Sequence, residues 1–67
     1  MSVAKVSEIS VTSSKSFEDA IQQGISRAAK TLRNIRSAWI KEQLVRCEGG
    51  VVVEYQVNMM VTFVLDD

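Results

Sequence analysis

Few residues in this 67-residue sequence are equipped for chemistry. There is no histidine, which excludes serine or cysteine triads that rely on an imidazole base. Cys47 is the single cysteine, so a disulfide within the chain is excluded and a zinc site is disfavoured. It reads as a quiet strand residue rather than a nucleophile. The carboxylates are scattered without an acid–base pair, and neither a GxGxxG turn nor a P-loop is present. No catalytic residue and no metal ligand is therefore expected. Asp66 and Asp67 offer at most a weak cation site and read as an acidic end. What remains is recognition. Trp39, the only tryptophan, offers a flat stacking surface. Gln56 offers a donor and an acceptor on one amide. Residues 27 to 46 carry Arg27, Lys30, Arg33, Arg36, Lys41 and Arg46 against Glu42 alone, whereas Glu48, Glu54, Asp66 and Asp67 follow without a base. The basic stretch is either a solvated helix face or a weak site for the phosphates of a ligand.

The elements that must position these residues follow from periodicity. Lys5 to Thr12 reads as a strand with Val6, Ile9 and Val11 apolar. The change of phase between Val6 and Ile9 implies a bulge or burial on both sides. Ser16, three residues before Asp19, resembles a capping box, with Ser13 as the competing cap. The helix that follows is expected to run to about Ile35. Its stripe is Phe17, Ala20, Ile21, Gly24, Ile25, Ala28, Leu32 and Ile35, at helical spacing. Gly24 and Ala28 thin the middle of that stripe, so the helix can lie close on a sheet. Two strands complete the chain, about Ser37 to Cys47 and Val51 to Asp66, joined by the turn residues Glu48, Gly49 and Gly50.

Strand parity assigns faces. In the last strand Val51, Val53, Tyr55, Val57, Met59, Val61, Phe63 and Leu65 are expected to cover the helix. Val52, Glu54, Gln56, Asn58, Met60, Thr62 and Val64 point away. In the strand before it Ala38, Ile40 and Leu44 take the helix side, with Glu42 awkwardly among them. Ser37, Trp39, Lys41, Gln43 and Val45 then face away, and Arg46 has the parity opposite to Trp39. The fold class is α+β, a β-α-β-β unit whose antiparallel three-stranded sheet wraps one helix. One helix covers one sheet face only, so Trp39, Val45, Met60, Thr62 and Val64 require cover from a ligand or another subunit.

One domain spanning residues 1–67 is expected, and a chain this small has a marginal core. Without disulfide or metal, oligomerisation is the remaining route to stability. The formal net charge is zero, which argues against a nucleic-acid partner. No apolar run is long enough to span a bilayer and none resembles a signal peptide, so a cytoplasmic protein with no membrane partner is expected.

The chain resembles the dodecin family. The resemblance rests on Thr12-Ser13-Ser14 before Ser16-Phe17-Glu18-Asp19-Ala20-Ile21, on Ser26-Arg27-Ala28-Ala29-Lys30-Thr31-Leu32-Arg33, and on Glu54-Tyr55-Gln56-Val57 leading to Val61-Thr62-Phe63-Val64-Leu65. It implies a subunit of a hollow dodecamer that stores flavin, riboflavin or FMN, between subunits without turnover. In that family a second-strand tryptophan stacks on the isoalloxazine and a third-strand glutamine bonds its polar edge. Gln56 falls at the glutamine position. Counted without gaps, Ser37 occupies the tryptophan position. Trp39 lies two residues on, on the same face but displaced by about 7 Å. Trp39, Gln56, Ser37 and Arg46 are thus the candidate flavin-binding residues, with Arg46 or Lys41 toward a phosphate tail. The alternative is a dodecin-like shell that binds another ligand or partner, or serves as a scaffold.

Overall fold

The computed structural model describes residues 2–65. Four elements follow one another: β1 (Ala4–Ser13), α1 (Phe17–Ala28), β2 (Ile35–Glu48) and β3 (Val51–Val64). The strands form one antiparallel sheet in the order β1-β3-β2. This is the expected α+β architecture, β-α-β-β with one helix against the sheet. Asp66 and Asp67 lie outside the described residues.

Helix α1 starts where the serine run predicts. Ser16 is the N-cap, its hydroxyl accepting from the Asp19 backbone N–H at 3.0 Å. The reciprocal half of a capping box is replaced by a detour. The Asp19 carboxylate takes the Ser13 hydroxyl at 2.6 Å, and Ser13 Oγ accepts from the Lys15 N–H at 3.0 Å and the Ser16 N–H at 3.5 Å. Both candidate caps are used, one for the helix and one for the turn before it. The stripe packs as expected. Ala20, Val57, Met59 and Val61 are fully buried, with Ile9, Val11, Phe17, Ile21, Ile25, Ile35 and Ala38 against them.

The helix does not continue to Ile35; it ends at Ala28 after 12 residues. The ladder tightens there: Lys30 N–H donates to Arg27 O and Thr31 N–H to Ala28 O, three residues back, as at frayed helix ends. Asn34 then takes φ 63°, a left-handed conformation that asparagine tolerates better than most residues. Ile35 is the first residue of β2, yet it packs on the same core.

Strand β1 pairs with β3 in one unbroken register from Ala4↔Val64 to Ser13↔Tyr55. No bulge separates Val6 from Ile9. Ile9 stands opposite Met59 on the helix side, while Val6 stands opposite Thr62 on the other face and is exposed. Strand β2 is irregular against β3, with register shifts between Ile35 and Ser37, Ile40 and Glu42, and Arg46 and Cys47. Gly49 and Gly50 close the hairpin with φ of 58° and 78°, the positive angles of a two-residue turn.

The helix packs on β1 and β3. Every residue of β2 from Trp39 to Glu48 is exposed. The chain is elongated, 52 Å in its longest dimension. It exposes 4838 Å² of surface, against roughly 4,200 Å² expected of a compact monomer of its mass. The excess goes with β2, which the helix leaves uncovered.

Candidate functional site

Residues directly opposite one another in antiparallel strands share a face, so the register settles what each face carries. On β3, Glu54, Gln56, Asn58, Met60, Thr62 and Val64 face away from the helix, as parity predicts. On β2 the expected phase holds only as far as Ile40. Ser37 stands opposite Thr62 and Trp39 opposite Met60, both on the outer face. Lys41 is then an extra residue, and beyond it the phase inverts, as at a bulge. Glu42 stands opposite Asn58, Leu44 opposite Gln56 and Arg46 opposite Glu54, all on the outer face. Gln43 opposite Val57 and Val45 opposite Tyr55 go to the helix side. The expected helix-side place of Leu44 and outward places of Gln43 and Val45 are thus corrected. So is the parity of Arg46, which shares its face with Trp39. The awkward Glu42 was the trace of this bulge in the sequence. A second correction lies at Val53, where β3 carries the extra residue. Val52, opposite Cys47, therefore moves to the helix side, and Val51, opposite Glu48, to the outer face.

All four candidate residues, Ser37, Trp39, Gln56 and Arg46, therefore lie on one face. They do not form one cluster within a single chain. The row of Trp39 and Met60 is four residues along β3 from Gln56, a span of ~13 Å. A ligand touching both either lies along β3 or bridges from a second subunit. Trp39 keeps 53% of its surface exposed. Covering an exposed half-indole, on the order of 100 Å², is worth ~2–3 kcal/mol.

The ground between the two is polar. Lys41 Nζ reaches across β3 to Glu8 Oε2 at 3.2 Å. Ser10 Oγ–H donates to Asn58 Oδ1 at 2.6 Å, Gln56 Nε2–H donates to Ser10 Oγ at 3.0 Å, and Asn58 Nδ2–H donates to Glu42 Oε1 at 3.0 Å. Arg46 Nη2 meets Glu54 Oε1 at 3.2 Å, both side chains partly open to water, so the pair contributes about 0–1 kcal/mol. Both cations suggested for a phosphate tail thus have carboxylate partners already. Sequence reasoning missed Ser10, Glu42 and Asn58 as site residues. Parity places Ser10 and Asn58 there, but nothing in the sequence shows that they bond to each other.

The face offers an open indole surface at Trp39 and, ~13 Å further along β3, the amide of Gln56. No group of acidic, cysteine or histidine side chains able to hold a metal occurs among the described residues. No described helix is long and apolar enough to cross a membrane. A hollow of about 500 Å³ lies elsewhere, between α1 and β1, lined by Ile9, Val11, Gly24, Ala28 and Leu32 among others. It holds no part of the indole–amide constellation.

Comparison with known proteins gives a consistent outcome. No curated protein sequence matches the chain. An arginine-to-alanine variant of the Thermus thermophilus dodecin superposes with TM-score 0.94 at 37% identity, covering 100% of both chains. The dodecin of Streptomyces davaonensis gives 0.92 at 33% identity, covering 98% of this chain and 97% of that one. A calcium dodecin of Mycobacterium tuberculosis, described as calcium-chelating, gives 0.82 at 30% identity, covering 96% and 91%. The family model described as Dodecin matches residues 3–66, and the chain belongs to the dodecin family.

Proposed function

We propose that this chain sequesters a flavin as a subunit of a closed homo-oligomer, a dodecamer of the dodecin type, without catalysis. The observation that carries the reading is the sharing of one uncovered sheet face by Trp39 and Gln56, with the indole half exposed. Stacking on that indole contributes about 0.5–1.5 kcal/mol beyond area burial. The exposed apolar residues Ile40, Leu44, Val45, Val51, Val52 and Val53 of the hairpin supply the surface that association would cover. Riboflavin suits the site at least as well as FMN. Near Gln56, Glu8, Glu42 and Glu54 outnumber Lys41 and Arg46, and both cations are paired. The expected compartment is the cytoplasm.

Titration of riboflavin with the purified protein tests this, read by quenching of flavin fluorescence alongside light scattering. Quenching to saturation by a large oligomer is the expected result. A stable oligomer that leaves riboflavin fluorescence unchanged would point instead to a shell for another ligand, with Trp39 as an interface anchor. A monomer at micromolar concentration removes both readings.

A further inference from the structure

The end of the β2-β3 hairpin outruns the rest of the chain. β1 ends at Ser13, opposite Tyr55. Phe17, the first residue of α1, packs edge-on against the same Tyr55 ring. From Arg46 to Glu54 the hairpin is therefore an arm whose two strands pair with each other beyond the last rung of β1. The helix packs on β1 and β3 and leaves the arm uncovered. Val45 at its base and Val52 within it stand exposed on the helix side. Glu48, at the turn, is exposed and has no ion-pair partner among the described residues.

A surface of complementary need lies between α1 and β1. The hollow there has Ile9 and Val11 of β1 on one side and Ala28 and Leu32 on the other. Ser10, whose side chain belongs to the outer face, lines it as well, so the hollow opens along the edge of β1 that faces away from β3. An uncovered strand edge invites another chain. Arg27 stands at the rim, exposed and without an ion-pair partner among the described residues. The groove lacks apolar filling and an anion; the arm lacks apolar cover and a cation. β3 separates β2 from β1, and the arm projects beyond both β1 and α1, so it does not reach its own groove. The 4838 Å² of exposed surface exceeds the compact-monomer value by roughly 600 Å², close to the ~800 Å² that one partner buries in a standard interface.

We infer that the groove between α1 and the edge of β1 receives the hairpin arm of a second copy, with Val45 and Val52 against Ile9, Val11 and Leu32 and with Glu48 meeting Arg27. This rests on the homo-oligomer reading and names its joint. The contact is heterologous: each copy lends an arm and receives one, so the assembly grows until its rotation closes.

The test uses Arg27→Glu, Glu48→Arg and the double variant that exchanges the two charges. Both positions are exposed, so the fold should tolerate all three. Oligomer size is followed by light scattering over protomer concentrations that span dissociation of the wild type. Each single reversal is expected to raise the midpoint of dissociation by about tenfold or more, because like charges then meet in the joint. The double variant should return to near the wild-type midpoint. A photo-crosslinking residue in place of Val52, in a mixture of isotopically light and heavy protein, should give adducts between copies at residues 23–32. Single variants that assemble like wild type, a double variant that does not recover, or adducts elsewhere would each overturn the inference while the oligomer, and its riboflavin binding, stand. A wild type that is monomeric throughout removes the homo-oligomer reading and the joint with it.

Discussion

Glu42 and Asn58 stand directly opposite each other on β2 and β3, joined by a 3.0 Å hydrogen bond, although alternation along β2 would put Glu42 on the other face. One extra residue, Lys41, separates the two outcomes. Asn58 is the hub of the outer-face network, with Ser10, Gln56 and Glu42 all on its amide. Asn58→Leu should leave the fold standing, since the network is largely exposed and the two side chains share a branched shape. It should weaken riboflavin binding by about tenfold, because Gln56 loses its orientation. Fluorescence titration checks affinity, and chemical denaturation checks that stability moves by less than about 1 kcal/mol.

Gly24 marks a close approach of helix to sheet. A Cβ there would stand 2.5 Å from Val11 Cγ2 and 2.6 Å from Met59 Cε. Gly24→Ala gains about 1 kcal/mol in helix propensity. It costs about 1–3 kcal/mol in overpacking, because Val11 is branched and stiff. The expected net change is a loss of about 1 kcal/mol, read by thermal unfolding at matched protomer concentration.

The two serines before the helix should differ in worth. Ser16→Ala removes one cap bond to Asp19 N–H and should cost ~1 kcal/mol. Ser13 is 8% exposed and joins Asp19, Lys15 and Ser16. Ser13→Ala strands those partners and should cost ~2 kcal/mol. Equal costs in denaturant titrations would show that the buried hydroxyl is no anchor for the turn.

These sites also show what was legible in the sequence. β1 and β3 share an unbroken register, so the outward face of β3 from Glu54 to Val64 followed from parity alone. β2 shifts against β3 three times, and the one trace of this in the apolar pattern, Glu42 among helix-side positions, does not say where the phase changes. Leu44, Gln43 and Val45 were therefore assigned to the wrong faces. The helix end was hidden for a related reason. Ile35 buries against the same core as the helix stripe, so its spacing from Leu32 imitates another turn. Asn34 carried the stop signal, through a conformation the periodicity does not register.

A neutral flavin should bind at least as well as its phosphate. Lys41 and Arg46 are held by Glu8 and Glu54 at 3.2 Å, and releasing either to meet a phosphate breaks an existing pair. Riboflavin and FMN are expected to bind within about threefold of each other, with little change between low and high salt. FMN binding that is much tighter and falls steeply with salt would show that a cation is free in the assembled protein.

The last prediction concerns Trp39 and Ser37. Both face away from the helix, Trp39 opposite Met60 and Ser37 opposite Thr62. The indole thus sits one row closer to Gln56 than an indole at position 37 would, by about 7 Å. If Trp39 is the stacking surface, Trp39→Ala should lower riboflavin affinity by about tenfold, about 1.4 kcal/mol, and leave the oligomer intact by light scattering. Ser37→Trp in that background should restore part of the binding only if the pocket reaches the Thr62 row. If the pocket is centred on Trp39, the new indole lies out of register and affinity stays low. An oligomer that dissociates on Trp39→Ala while the remaining affinity is unchanged makes the indole an interface anchor. The pocket would then have to be built from Gln56 and residues of a neighbouring subunit.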